Sequence, residues 1–256
     1  MIEDWLDIEE ANHGARKRLY MLVEKEGGRA AVQADLIDRV RSHYDDPKNI
    51  ADDIEELGFP GAANILRERL PRDAKKRSGE VGEILATEFI ENQTGFRIPV
   101  RRLRYKDGRE MALRGDDFLG IEEEDGRLNY LKGEAKSGRN MGGGVITDAR
   151  ERLGHDDGRP TPITLLFVAD RLLEGNEQDQ ALGRQIRNAM GRRTIRARQV
   201  THGLFTLTGN DRRTELETDL NGVDGDHGYI SVNLRIDDHQ EFIAWIYKEA
   251  ENLGDD

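Results

Sequence analysis

The chain has 256 residues, no cysteine, and 51 acidic against 39 basic residues, for a formal net charge of -12. Without a thiol it cannot build a disulfide, a zinc ribbon, an iron–sulfur cluster or a cysteine nucleophile. No stretch approaches the roughly 18 uncharged apolar residues of a membrane span, and the opening MIEDWLDIEE lacks the basic and apolar regions of a secretion signal. A soluble cytoplasmic protein with no membrane partner is expected.

Acid is concentrated at the two ends, whereas residues 67–77 are mostly basic and residues 184–198 carry six arginines and no acid. A locally positive surface on an acidic body is therefore open to this chain. Residues 1–76 read as an N-terminal helical region: Leu36, Ile37 and Val40, then Ile50, Ile54 and Leu57, recur at helical spacing. Asp45-Asp46-Pro47 separates two helices, Gly58-Phe59-Pro60-Gly61 breaks the second, and the basic stretch 71–79 marks a soft boundary. Residues 80–93 form a predicted helix with the stripe Leu85, Ala86, Phe89 and Ile90. Three strands are expected at about 96–105, 111–121 and 127–136, joined by the turn dipeptides Asp107-Gly108 and Asp125-Gly126.

A helix over about 145–154 follows the triple glycine 142–144, which reads as a hinge. The apolar run Ile163 to Ala169 suits a strand buried on both faces. A helix near 177–190, strands near 200–208 and 228–236, and a closing helix at 238–252 complete an α/β chain. Its core order is helix, three strands, helix, strand, with strand and helix additions at the C-terminus.

Chemistry is carried by Gly115-Asp116-Asp117 on the second strand of this core and Glu134-Ala135-Lys136 on the third. Strand alternation puts Leu128, Tyr130, Lys132, Glu134 and Lys136 on one face. Asp117 shares a face with Leu113 and Leu119, and Asp116 shares the other with Arg114 and Phe118. Asp117 is thus the better inward acid, and Asp116 pairs with Arg114 or solvent. A hairpin brings Asp117 beside Glu134, and two close carboxylates are favourable once a divalent cation sits between them. Hard oxygen ligands select Mg²⁺ or Mn²⁺, which can polarise a phosphoryl oxygen while Lys136 orients water or neutralises phosphate charge. The result is a phosphodiesterase site, to which the helix can add Glu83 from the border of its apolar stripe. Glu80 lies nearly opposite that stripe and ranks lower.

In these residues the chain resembles the PD-(D/E)xK nuclease superfamily. The stretches SGEVGEILATEFIENQTGF, LRGDDFLGI, YLKGEAKSG and YISVNLRIDDHQEFIAWIYKEA resemble, more narrowly, the nuclease subunits of Hachiman antiphage systems over about residues 78–250. The resemblance implies a restriction-endonuclease-like core in residues 77–256 and a metal-dependent DNase of low sequence specificity. It also implies a superfamily 2 helicase partner that holds cutting in check until infection. The implied metal ligands are Asp117 and Glu134, with Asp116 left as a further candidate by the doubled aspartate. Lys136 is the implied active-site lysine and Glu83 the helix acid. A second reading keeps the fold but not the chemistry: a catalytically silent module that docks on the helicase, with Glu134 and Lys136 a structural pair. The six histidines show no HxH or HExxH spacing, GEAKSG lacks the glycines of a Walker A loop, and residues 219–228 lack the acids of a calcium loop.

Overall fold

The computed structural model describes residues 1–254; residues 255 and 256, at the end of the expected 77–256 unit, lie outside the described residues. It is a mixed α/β fold built on one six-stranded sheet, β1 Leu6–Gly14, β2 Lys17–Glu24, β3 Phe118–Glu124, β4 Arg127–Gly138, β5 Val200–Thr208 and β6 Gly228–Arg235. The strand order is β1-β2-β6-β5-β4-β3. The inner pairs β2–β6, β6–β5 and β5–β4 are parallel, and the outer pairs β1–β2 and β3–β4 are antiparallel hairpins. No helix among the described residues is long and apolar enough to cross a membrane.

The N-terminal region is helical only in part, a correction to the expectation for residues 1–76. After a single helical turn, α1 Ile2–Trp5, residues 6–24 form the β1–β2 hairpin, and α2 Gly28–Tyr44 and α3 Pro47–Arg69 follow. The reason is a period of two in the second strand. Tyr20 and Leu22 enter one core cluster, Leu19 and Met21 another, so successive side chains serve opposite faces of the sheet. The α2–α3 break falls at Asp45-Asp46, where Asp46 caps Pro47–Arg69 through Lys48 N, and Gly58 at φ 70° kinks α3.

Helix α4, Ala74–Gln93, absorbs the basic stretch expected as a linker, with Asp73 as its N-cap. The first two of the three expected central strands differ from expectation. Residues 96–101 are extended but contribute only a bridge between Arg97 and Ile121, residues 102–105 make a 3₁₀ turn, and β3 begins only at Phe118. The Asp125-Gly126 turn forms as expected, both residues having positive φ. Helix α5, Gly143–Gly154, starts directly from the triple glycine.

The expected buried strand at 163–169 is instead part of helix α6, Pro162–Leu173. Thr161 caps it through Thr164 N, Pro162 occupies the first turn, and Leu165, Val168, Ala169 and Leu172 recur at helical spacing on the buried side. Helix α7 Glu177–Gly191, helix α8 Arg213–Gly222 and helix α9 His239–Glu251 complete the fold.

Three apolar clusters bind these elements. The first joins α2, α4 and α9 to one face of the sheet through Leu131, Phe205, Val232 and Leu234. The others pack α5 with α8, and α6 with α7, on the opposite face through Leu204 and Tyr229, and through Leu119, Leu128 and Tyr130.

Candidate active site

The β3–β4 hairpin sets the site. Phe118 pairs with Gly133, so Asp117, one residue before β3, falls level with Glu134. Asp117 N donates to Gly133 O at 3.0 Å, and Asp117 Oδ2 accepts from Ala135 N at 2.8 Å. Gly133 is required by the packing, because a Cβ there would lie 2.3 Å from the Phe118 ring. Asp117 is partly buried and Glu134 is buried. Burial and then the charge of Glu134 push the Asp117 carboxyl up to about 6. The expected side-by-side acids are therefore present, and they repel.

Cations compensate in part. Lys136 Nζ pairs with Glu134 Oε1, and Arg152 of α5 donates to the same oxygen at 3.3 Å. On the other side of Asp117 is a pocket of about 250 Å³ whose walls include Glu83 and Glu80 of α4, Arg102, Asp117 and Arg152. Burial first, and Asp117 second, raise the Glu83 carboxyl well above the usual range. Glu80 is held by Lys106 and accepts from Tyr44 Oη at 2.8 Å, itself 2.6 Å from Tyr247 Oη. Its partners are those of a structural acid.

The doubled aspartate divides cleanly. Asp116 Oδ2 accepts from Thr161 N at 2.8 Å and Thr161 Oγ1 at 3.2 Å, Asp116 N donates to Thr164 Oγ1 at 2.8 Å, and Oδ1 stands 3.8 Å from Lys132 Nζ. Its partner is the α6 cap and Lys132, whereas Arg114 or solvent was expected; Arg114 is exposed. Gly115, at φ 98°, makes the turn that carries the chain there, since a Cβ would meet Thr164 Oγ1 at 2.3 Å.

Among the described residues no group of three or more acidic or histidine side chains is gathered tightly enough to hold a metal. The donor set is two carboxylates, Asp117 and Glu134, with Glu83 across the pocket. Such a pair fits Mg²⁺, which commonly takes one or two protein carboxylates and fills its remaining positions with water and phosphate oxygens. Lys132, Arg102 and Arg152 were missed from sequence. Lys132 shares the face of Glu134 and could have been weighed as a partner for an acid; nothing distinguished Arg102 or Arg152 from the chain's surface arginines. His202 and His227 stack at 4.6 Å, and His202 Nε2 donates to Gly158 O at 2.8 Å, so this pair is brought together without any spacing motif.

A family profile described as HamA matches residues 1–250 of the chain. A Bacillus cereus protein named "Hachiman protein HamA" is 24% identical over 254 residues, covering 97% of this chain and 90% of that protein. The match begins at the first residue and so takes in the β1–β2 hairpin, where the sequence resemblance had been confined to about 78–250.

Proposed function

The chain belongs to the HamA family, and from that premise we propose that it is a metal-dependent DNase of an antiphage defence system, cutting DNA with low sequence specificity in the cytoplasm under the control of a superfamily 2 helicase partner. The observation that carries the chemistry is the β3–β4 register, which sets Asp117 against Glu134 and leaves Lys136 on the same strand face. We assign restriction-endonuclease-like character to the α4–β3–β4–α5 segment on the same ground.

Asp117 and Glu134 would hold the ion, and Asp116, already bonded to Thr161, is excluded from the set. When bound, Mg²⁺ or Mn²⁺ supplies a Lewis acid for a phosphoryl oxygen and acidifies a water. The chain's own residues do the remainder. Asp117 is oriented by Ala135 N, so its carboxylate enters the site without a search over rotamers. Lys136 presents its ammonium where phosphate charge accumulates, and Arg152 and Arg102 extend that positive wall. Glu83, whose carboxyl burial and then Asp117 raise above the usual carboxylate range, faces the pocket from α4.

One observation favours the silent-module reading: Glu134 is already paired with Lys136 and Arg152. Incubation of purified protein with linear DNA and Mg²⁺ or Mn²⁺, with and without the helicase, separates the two. The nuclease reading expects wild type to degrade DNA and Glu134→Ala to leave it intact. Equal degradation by both, or none under either metal with the helicase present, is the silent module. Lys136→Ala should abolish cutting with Tm nearly unchanged; a large fall in Tm would instead mark a structural pair.

A further inference from the structure

A groove of about 480 Å³ lies beside the pocket of Glu83 and Asp117, on the other side of the first turns of α4. The same end of the sheet serves both, since Asp117 precedes β3 and the groove takes in the carboxyl end of its antiparallel partner β4. Its walls carry Arg72, Lys75 and Arg139 and no acidic side chain, in a chain whose acids outnumber its bases. Lys75 and Arg139 are exposed and make no ion pair among the described residues, and Arg72 has only an exposed Glu68 at 3.9 Å. Asp73, the acid nearest in sequence, is committed to capping α4 at Lys76 N, 2.9 Å away.

The floor of the groove is a hydrogen-bonded chain. Ser78 Oγ lies 2.8 Å from Ser137 Oγ, and Ser137 Oγ lies 3.0 Å from His239 Nε2. Three groups bring three polar hydrogens, with His239 kept neutral by burial, and the two contacts use two of them. The hydrogen left over belongs to His239 Nδ1, which is buried without a partner, or to one of the two serine hydroxyls. An orphaned buried N–H is more costly than an orphaned lone pair, so the tautomer with hydrogen on Nε2 is preferred. A serine hydroxyl, that of Ser78 at the end of the chain of contacts or that of Ser137 at its middle, is then the donor with no acceptor in the chain, facing a groove of positive charge.

We propose that this groove seats a phosphodiester of the DNA strand engaged by the pocket of Glu83 and Asp117, with Ser78 donating to a phosphate oxygen and Lys75 and Arg139 neutralising it. The choice of ligand rests on the nuclease reading above. The test is fluorescence anisotropy of a labelled DNA duplex titrated with full-length protein in EDTA over a series of salt concentrations. Lys75→Ala/Arg139→Ala should make the dependence of log Kd on log salt shallower by about two. Ser78→Ala should weaken binding about fivefold at fixed salt with its slope unchanged. Arg192→Ala/Arg193→Ala removes equal charge elsewhere and should change the slope by less than half as much. No binding by wild type, an unchanged slope in the groove variant, an equal slope change in the control pair, or unaltered affinity in Ser78→Ala overturns the inference. Cleavage assayed in parallel keeps the two readings apart: Glu134→Gln should still bind DNA and fail to cut. Groove effects with no cutting under any metal would retain the groove and remove the nuclease, whereas cutting with no groove effect would do the reverse.

Discussion

Asp116 and Asp117 are adjacent in sequence, yet their oxygens touch different partners. Asp116 bonds the α6 cap and faces the buried Lys132, so Asp116→Ala leaves that ammonium, still bonded to His155 O, without its counter-charge and Thr161 N without its acceptor. A loss of about 2–4 kcal/mol is expected by urea denaturation. Asp117→Asn keeps an oxygen for Ala135 N and removes the repulsion with Glu134, so it should abolish cutting while leaving stability unchanged or raised. A destabilisation like that of Asp116→Ala would contradict the division. Alternation along β4 made the placement of Glu134 legible, and the hairpin turn brought Asp117 level with it. The destination of Asp116 was not legible, because it depends on Thr161, distant in sequence and just before a segment, Ile163 to Ala169, expected to be a strand rather than a helix needing a cap.

His202 and Glu88 give the pH dependence. Burial first, then neighbouring positive charge, lowers His202 to about 3, despite its bond to Gly158 O. The unfolded chain takes up this proton near 6.5 and the folded one near 3, so the stability it confers is complete above 6.5 and is lost as pH falls through that window. Glu88 is depressed to about 2: burial opposes ionisation, and His43, Arg101 and Arg39 outweigh it. Its contribution is present above the unfolded carboxylate value and disappears as pH falls from about 4 to 2. Asp117 and Glu83 act with the opposite sign and the other buried histidines with the same sign, so the test is a difference: in chemical denaturation at stepped pH, wild type should lose stability relative to His202→Phe as pH falls below about 6.5. A difference that does not change with pH would contradict the assignment.

At the scale of elements, α6 shows where pattern reading fails. ITLLFVA is continuous enough for a central strand, and only the Thr-Pro before it and the DRLL after it extend the run to helical length. Thr161 does double duty, capping α6 and donating to Asp116. Thr161→Ala should therefore cost more than an ordinary cap, about 2 kcal/mol in a denaturant titration; a loss within a few tenths of a kcal/mol would mean that Asp116 does not need it. Elements with one clear period and a stop signal, such as β5, α7 and α9, lie within a residue or two of their expected bounds. The β3–β4 hairpin was legible for a similar reason, since Asp125-Gly126 fixes its register.

For the whole molecule, the largest departure is the N-terminal hairpin. β2 lies parallel to β6, and one core cluster draws on Trp5, Tyr20 and Leu22 together with Phe205, Val232 and Phe242. This pairing joins residues more than 200 positions apart, and no local pattern announces it. A 77–256 fragment lacks β1, β2, α2 and α3, which exposes an edge of β6 and removes 12 of that cluster's 34 buried residues, so it should be insoluble or melt without cooperativity. A sharp melt of the isolated fragment would overturn this. The basic run at 67–77 was visible from composition, but the fold was needed to bring Arg72 and Lys75 together with Arg139 in one groove.

The central claim is that Asp117 and Glu134 together hold one divalent ion. Its most direct measurement is Mn²⁺ titration followed by electron paramagnetic resonance, with Mg²⁺ as competitor. We expect wild type to bind a single Mn²⁺ that Mg²⁺ displaces, with affinity lowered about tenfold or more in both Asp117→Asn and Glu134→Gln and little changed in Asp116→Asn. Equal Mn²⁺ affinity in all four proteins would contradict the account.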